Sequence, residues 1–300
     1  MLQQKISGLA YRNPLARQVI LRILRVLPRG DNVENKQPNL IIIGAQKSGT
    51  TSLHNYLNNH PEIFMSNFKE PGYFLNQTDE LVDYTTRRKL RLNLNDDDLL
   101  KIMKIEYRGE KWFGESSTYY SMSPYFGDEA SKNIRNRSPD SRIIYIVRDP
   151  ISRIVSQYLW GRQNNFTQGE FEYVFKKRLH TFLAISSYAQ QLKRYLNNFE
   201  RDRILVIKFE QMIKNPKRET ERVFEFLGLN SGKAFHEKFD NHNKSRGREK
   251  IAKDNLLFTT EMFDSIVPLI KAESQEFAEL TGIDISDWDF SYDRWTRPVA

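Results

Sequence analysis

Cysteine is absent from the 300 residues, which excludes disulfides, thiolate metal sites and a cysteine nucleophile. The same absence agrees with a reducing compartment, and a cytoplasmic location is the expectation. Histidine is scarce, five in the chain, and no grouping of His, Asp and Glu has the spacing of a ligand set, so no metal is expected. A long apolar run is missing too. The stretch Leu15 to Leu27 is interrupted by Arg17, Arg22 and Arg25, so it neither spans a bilayer nor resembles a cleavable secretory segment. It reads as an amphipathic helix over residues 12–28, whose apolar face either packs on the domain or makes peripheral contact with a membrane. No repeat and no low-complexity tract is visible.

What is present suits a folded domain. Apolar residues make up 39% and aromatic residues 12% of the chain, enough to bury a core. Lys and Arg outnumber Asp and Glu by 46 to 38, a net charge of +8. That sign favours an anionic partner such as nucleic acid, acidic lipid or a phosphorylated ligand, and does not choose among them.

Residues 1–38 read as the amphipathic helix and a polar linker, Asp31 to Pro38 in the string GDNVENKQP with its glycine and proline, and 39–300 as one domain. Leu40 to Ile43 is a continuous β-branched run, the pattern of a strand buried on both faces of a parallel sheet. A glycine-containing loop follows, then a helix from Thr51 to Asn59 ended by His60-Pro61. The alternation returns with a strand at Arg142 to Val147, a turn at Asp149-Pro150 and a helix carrying Ile151, Ile154, Val155 and Tyr158. A further strand is expected at Arg203 to Phe209, and helices at Ser187 to Phe199, Lys217 to Leu227 and Thr260 to Leu280. Strands alternating with helices imply parallel pairing and right-handed crossovers: an α/β, three-layer P-loop-like fold, a central parallel sheet flanked by helices.

The loop Gly44-Ala-Gln-Lys-Ser-Gly-Thr-Thr-Ser has the chemistry of an anion cradle. Glycines let backbone N–H groups converge, the helix N-terminus adds its positive end, and Lys47 adds a full charge. It departs from the Walker pattern, because Gly49 is followed by Thr50 and Thr51 where Lys and Ser or Thr are expected, and the lysine sits inside the loop. Together with Leu57-Asn-Asn-His-Pro-Glu-Ile63, the string Gln46 to Leu53 resembles the 5′-phosphosulfate loop and first helix of sulfotransferases that use 3′-phosphoadenosine 5′-phosphosulfate (PAPS), particularly the carbohydrate and heparan-sulfate type. The segment Ile146-Val-Arg-Asp-Pro-Ile-Ser-Arg-Ile-Val-Ser-Gln-Tyr158 is similar to the family's 3′-phosphate motif, with Arg148 and Ser156 in register. A planar guanidinium at a strand end suits a phosphate on physical grounds as well.

The resemblance spans roughly residues 39–282 and implies an enzyme that transfers a sulfuryl group from PAPS to a hydroxyl or amine, a carbohydrate or glycosylated small molecule being the expected acceptor. Nucleic acid is not an expected partner. It implies that Lys47, Ser48, Gly49, Thr50, Thr51 and Ser52 hold the 5′-phosphosulfate and that Arg148 and Ser156 hold the 3′-phosphate. It also implies that a late basic loop, here Lys244, Ser245, Arg246 and Gly247, closes over the nucleotide. Lys47 further serves the leaving oxygens. Glu70, in Phe-Lys-Glu-Pro-Gly-Tyr-Phe, matches the family's catalytic base, with Lys69 beside it and Tyr73 and Phe74 as sources of desolvation. His60 is a rival base, but it matches the family's helix-ending pair and reads as capping or packing. Glu115 resembles a residue of the acceptor cleft; Ser116 stands where related polysaccharide enzymes often have lysine, which argues against an anionic polysaccharide. Tyr119 and Tyr120 either stack on an acceptor or pack in the core. Lys208-Phe-Glu210 reads as structural. Two other readings compete: a P-loop kinase or hydrolase, against which the misplaced lysine counts, and a non-catalytic basic module, for which Glu70 would have no purpose.

Overall fold

The computed structural model describes residues 36–75, 95–122, 127–233 and 258–296. The amphipathic helix expected at 12–28 and the late loop at Lys244, Ser245, Arg246 and Gly247 lie outside the described residues. Five strands form one sheet: β1 (Leu40–Gly44), β2 (Ile63–Met65), β3 (Trp112–Ser116), β4 (Arg142–Val147) and β5 (Ile204–Lys208), in the order β2-β3-β1-β4-β5. Every pairing is parallel.

The helices are α1 (Thr50–Leu57), α2 (Asp96–Met103), α3 (Glu129–Arg137), α4 (Pro150–Gln163), α5 (Phe171–Ser186), α6 (Tyr188–Leu196), α7 (Phe209–Lys214), α8 (Pro216–Phe226), α9 (Thr260–Thr281) and α10 (Tyr292–Trp295). Their ends are set by local chemistry. Asp149 caps α4, its carboxylate accepting from Ser152 N at 2.6 Å, and Pro150 occupies the first helical position, where its missing N–H removes nothing. Thr259 caps α9 through Met262 N, and Gly282 at φ 70° ends it.

Because β1 and β4 are covered on both faces, their residues need be apolar at every position rather than every second one. Ile41, Ile43, Ile143, Tyr145 and Val147 point into one core layer with α3 and α6. Leu40, Ile42, Ile144 and Ile146 point into the other with α1 and α8. A third cluster joins α4, α5 and α9 through Ile154, Phe171, Phe175, Phe258 and Ile266. Among the described residues no helix is long and apolar enough to cross a membrane.

The strand order places the site. After β1 the chain moves toward β2 and β3, whereas after β4 it moves to β5 on the opposite side. The ends of β1 and β4 therefore flank the point where the winding direction reverses, which is where ligands of open parallel sheets bind.

Candidate active site

The loop between β1 and α1 fills that crevice. Gly44 has φ 146° and lies so close to the turn after β3 that a Cβ would stand 2.1 Å from Ser121 Oγ. Gly49 precedes α1 at φ 92°, and its Cβ would meet Phe209 at 2.8 Å. Lys47 holds φ 69°, a left-handed backbone that costs a non-glycine residue about 1–3 kcal/mol and recurs at functional sites. Within the loop, the buried Ser48 Oγ has no hydrogen-bond partner among the described residues. An orphaned buried hydroxyl beside a helix N-terminus fits an anionic ligand that would accept from it. Thr50 and Ser52 are buried in the first turn of α1, and Thr51 is half-buried.

Arg148 leaves the end of β4 and donates from Nη1 to Lys47 O at 3.2 Å, so the two expected phosphate anchors meet. Its guanidinium carbon lies 4.7 Å from the centroid of the Phe209 ring. Phe209, from the segment read from sequence as structural, is thus wedged between Arg148 and Gly49. The backbone around Arg148 is held from behind. Tyr188 Oη donates to Arg148 O at 2.8 Å, and Asp149 N donates to Glu210 Oε1 at 2.9 Å. Burial raises the affinity of both Asp149 and Glu210 for a proton. Ser156 lies two turns into α4, half-buried.

On the other flank of β1, Glu70 occupies a left-handed turn at φ 57°. Its amide donates to Ser116 O at 2.9 Å, which ties the turn to the end of β3. The carboxylate accepts from Lys69 Nζ at 2.8 Å on Oε1, and on Oε2 from Thr118 N at 2.7 Å and Thr118 Oγ1 at 3.2 Å. A carboxylate has about four lone-pair sites; these three bonds fix its orientation and leave capacity on Oε1, as a positioned base requires.

Sequence reasoning missed one neighbour of this turn and misplaced another. His54 on α1 is buried and shares a 2.5 Å hydrogen bond with Ser116 Oγ. Burial, with the nearby charge of Lys69, lowers its pKa to about 3, so the imidazole is neutral. Its place on α1 three residues after Thr51 is the only signal the sequence offers. Glu115 is completely buried, and burial raises its pKa to about 8. It does not line a cleft: Ser117 Oγ donates to Glu115 Oε2 at 3.0 Å, and Gly72 N donates to Ser117 Oγ at 2.9 Å, so this carboxyl braces the Glu70 turn from beneath. Tyr119 and Tyr120 are core residues. His60 is occupied at both nitrogens, Nε2 donating to Asn230 O at 3.1 Å and Nδ1 accepting from Glu62 N at 3.1 Å, which leaves it no free lone pair to take a proton from a substrate. Among the described residues no cluster of His, Asp and Glu could hold a metal ion.

Comparison with known proteins gives the family and the fold. The model of the sulfotransferase domain family matches residues 37–283. Human heparan sulfate glucosamine 3-O-sulfotransferase 3A1 is 26% identical over 225 residues, covering 72% of this chain and 50% of that protein. Human carbohydrate sulfotransferase 15 is 24% identical over 251 residues, covering 64% of this chain and 44% of that protein. The chain thus spans about half the length of these relatives. In fold it is similar to a sulfotransferase from Alicyclobacillus acidocaldarius, with a TM-score of 0.67 and 23% identity over 84% of this chain and 99% of that one.

Proposed function

The chain belongs to the sulfotransferase domain family, and from that premise we propose that it transfers the sulfuryl group of PAPS to a hydroxyl of a carbohydrate, with Glu70 as base. The observation that carries this reading is the meeting of Lys47 and Arg148 across the ends of β1 and β4, beside the orphaned Ser48 hydroxyl. One anchor suits the 5′-phosphosulfate and the other, with Ser156, the 3′-phosphate; Lys244 to Gly247 would close over the nucleotide.

The chemistry follows from the groups present. The acceptor oxygen attacks sulfur in line as its proton passes to Glu70, and the bond from sulfur to the 5′-phosphate oxygen breaks. The products are the sulfated acceptor and 3′-phosphoadenosine 5′-phosphate (PAP). Lys47, the α1 N-terminus and the loop N–H groups stabilise the charge that gathers on the leaving oxygens, the kind of preorganised electrostatics that dominates group transfer. Thr118 and Lys69 spare the base a search for its orientation. The carbohydrate acceptor is supported by the names of the relatives.

The test is calorimetric titration with PAP, ATP and AMP without added metal. Tight binding of PAP alone, weakened by Arg148→Ala, supports the reading. Preference for ATP with Mg²⁺ would point to a kinase or hydrolase, and absence of nucleotide binding to a basic binding module.

A further inference from the structure

A second feature opens directly off the donor loop. A cavity of about 210 Å³ lies between the end of α4, the loop 164–169 and α5, and Gln46 of the donor loop forms part of its wall. Trp160 also lines it, and the same indole lies 5.1 Å from Lys47 Nζ, so the cavity abuts the lysine assigned to the transferring group. Met122 lines it as well, immediately after the turn whose Thr118 holds Glu70.

Its lining mixes polar side chains, among them Gln46, Gln157, Thr167 and Arg178, with aromatic and aliphatic ones. Gln46 lines the cavity, and its Oε1 is buried with no hydrogen-bond partner among the described residues. Gln157 uses its carbonyl to accept from the fully buried Arg153 at 2.8 Å, so the amide nitrogen is what it offers to the cavity. Trp160 and Phe166 supply aromatic wall, with ring centroids 5.3 Å apart. Arg178 stands at the rim, where α5 leaves helical geometry, and donates to Phe166 O at 3.3 Å. No aspartate or glutamate is among the lining residues described. The volume lies below the roughly 300–1,000 Å³ of pockets for drug-sized ligands, and a cavity of about 150 Å³ already admits benzene; one ring fits and an oligosaccharide does not.

We propose that this cavity is the acceptor pocket and that it takes a single terminal sugar ring bearing a carboxylate, with a ring hydroxyl at Gln46, the ring face on the Trp160 and Phe166 wall and the carboxylate at Arg178. The proposal rests on the sulfuryl-transfer reading above. It sets this chain apart from an enzyme that modifies the interior of a polymer, because a volume of about 210 Å³ admits one ring and not the sugars on either side of it. The loop 164–169 is fixed by Phe166 N and Thr167 N donating to Gly161 O at 2.8 and 3.1 Å.

The experiment measures transfer of labelled sulfate from PAPS to 4-nitrophenyl β-D-glucuronide and 4-nitrophenyl β-D-glucoside, which differ in the carboxylate, and to a long glucuronate polymer. The glucuronide is expected to show a KM about tenfold or more below that of the glucoside, the worth of one charge-assisted pair, and the polymer to be labelled only at its non-reducing end. Arg178→Gln raises the glucuronide KM and abolishes the preference while PAP affinity stays unchanged, and Arg178→Lys keeps most of it. Gly161→Ala, whose Cβ would stand 2.3 Å from Thr167 Oγ1, raises the KM of both glycosides without affecting PAP binding. Equal KM values for the two glycosides, labelling along the polymer interior, or turnover of neither while PAP still binds would each overturn the proposal. Loss of PAP binding in the unaltered protein would instead sink the sulfotransferase reading itself.

Discussion

The donor loop and the Glu70 turn lie on either side of the sheet's central strand and are built in opposite ways. The loop leaves donors unsatisfied: Ser48 Oγ has no partner among the described residues, and helix α1 begins without a side-chain cap. The Glu70 carboxylate is nearly satisfied, for it already accepts three hydrogen bonds. An anion site needs spare donors, whereas a base needs a fixed direction and one remaining lone pair. Both regions hold a charged residue in left-handed backbone, Lys47 and Glu70, so both store strain that their surroundings must offset.

The sharpest way to separate the two is Glu70→Gln. The amide keeps the shape but cannot take a proton, so turnover should fall roughly 10²–10⁴-fold, the usual worth of general base catalysis, with PAP affinity unchanged by calorimetry. Retention of full activity would show that the turn is not the seat of the base. On the other side, Arg148→Ala should weaken PAP binding about 10²-fold, since charge-assisted hydrogen bonds contribute about 1.5–3 kcal/mol each. The same variant should leave the melting temperature within a few degrees, because the guanidinium is only partly buried.

Phe209→Ala tests whether the wedge between Gly49 and Arg148 sets the anchors. A contact of this kind is worth about 0.5–2 kcal/mol, so PAP affinity should drop roughly 3- to 30-fold, and Phe209→Tyr should restore it. Equal affinity in the alanine variant would mean that the anchors position themselves.

The smallest effect concerns Glu115. Its pKa is raised by burial from an ordinary 4.5 to about 8, so the folded state binds this proton more tightly than the unfolded chain. The stability it confers is complete below about pH 4.5 and is lost as the pH rises through about 8. Glu115→Gln, neutral at every pH, should flatten the decline in melting temperature across that window. A decline of unchanged slope in the variant would assign the pH dependence elsewhere.

Much of this was legible in the chain. The runs at Leu40 to Ile43 and Arg142 to Val147 identify buried parallel strands because burial on both faces demands continuous apolarity, and they appear at those positions. The strand expected at Arg203 to Phe209 is Ile204–Lys208, and Phe209 begins α7 instead. The Phe209 ring at the start of that helix lies against Arg148. Glu115 was read as a cleft residue and is wholly buried; a carboxylate in a strand gives no sign in sequence of which face it will take or what will cover it.

The sequence by itself determined the alternation of strands and helices, the donor loop after β1, the arginine at the end of β4 and the presence of a carboxylate at Glu70. These follow from local rules: apolar runs, turn chemistry, and the charges that an anion attracts. Only the tertiary structure decided that Lys47 and Arg148 touch, that Phe209 packs between Arg148 and Gly49, that His60 is consumed by packing while His54 sits neutral beside Ser116, and that Gln46 lines a cavity. Each of these joins residues from separate segments of the chain, and such contacts are fixed by the order of strands in the sheet, which local sequence does not encode.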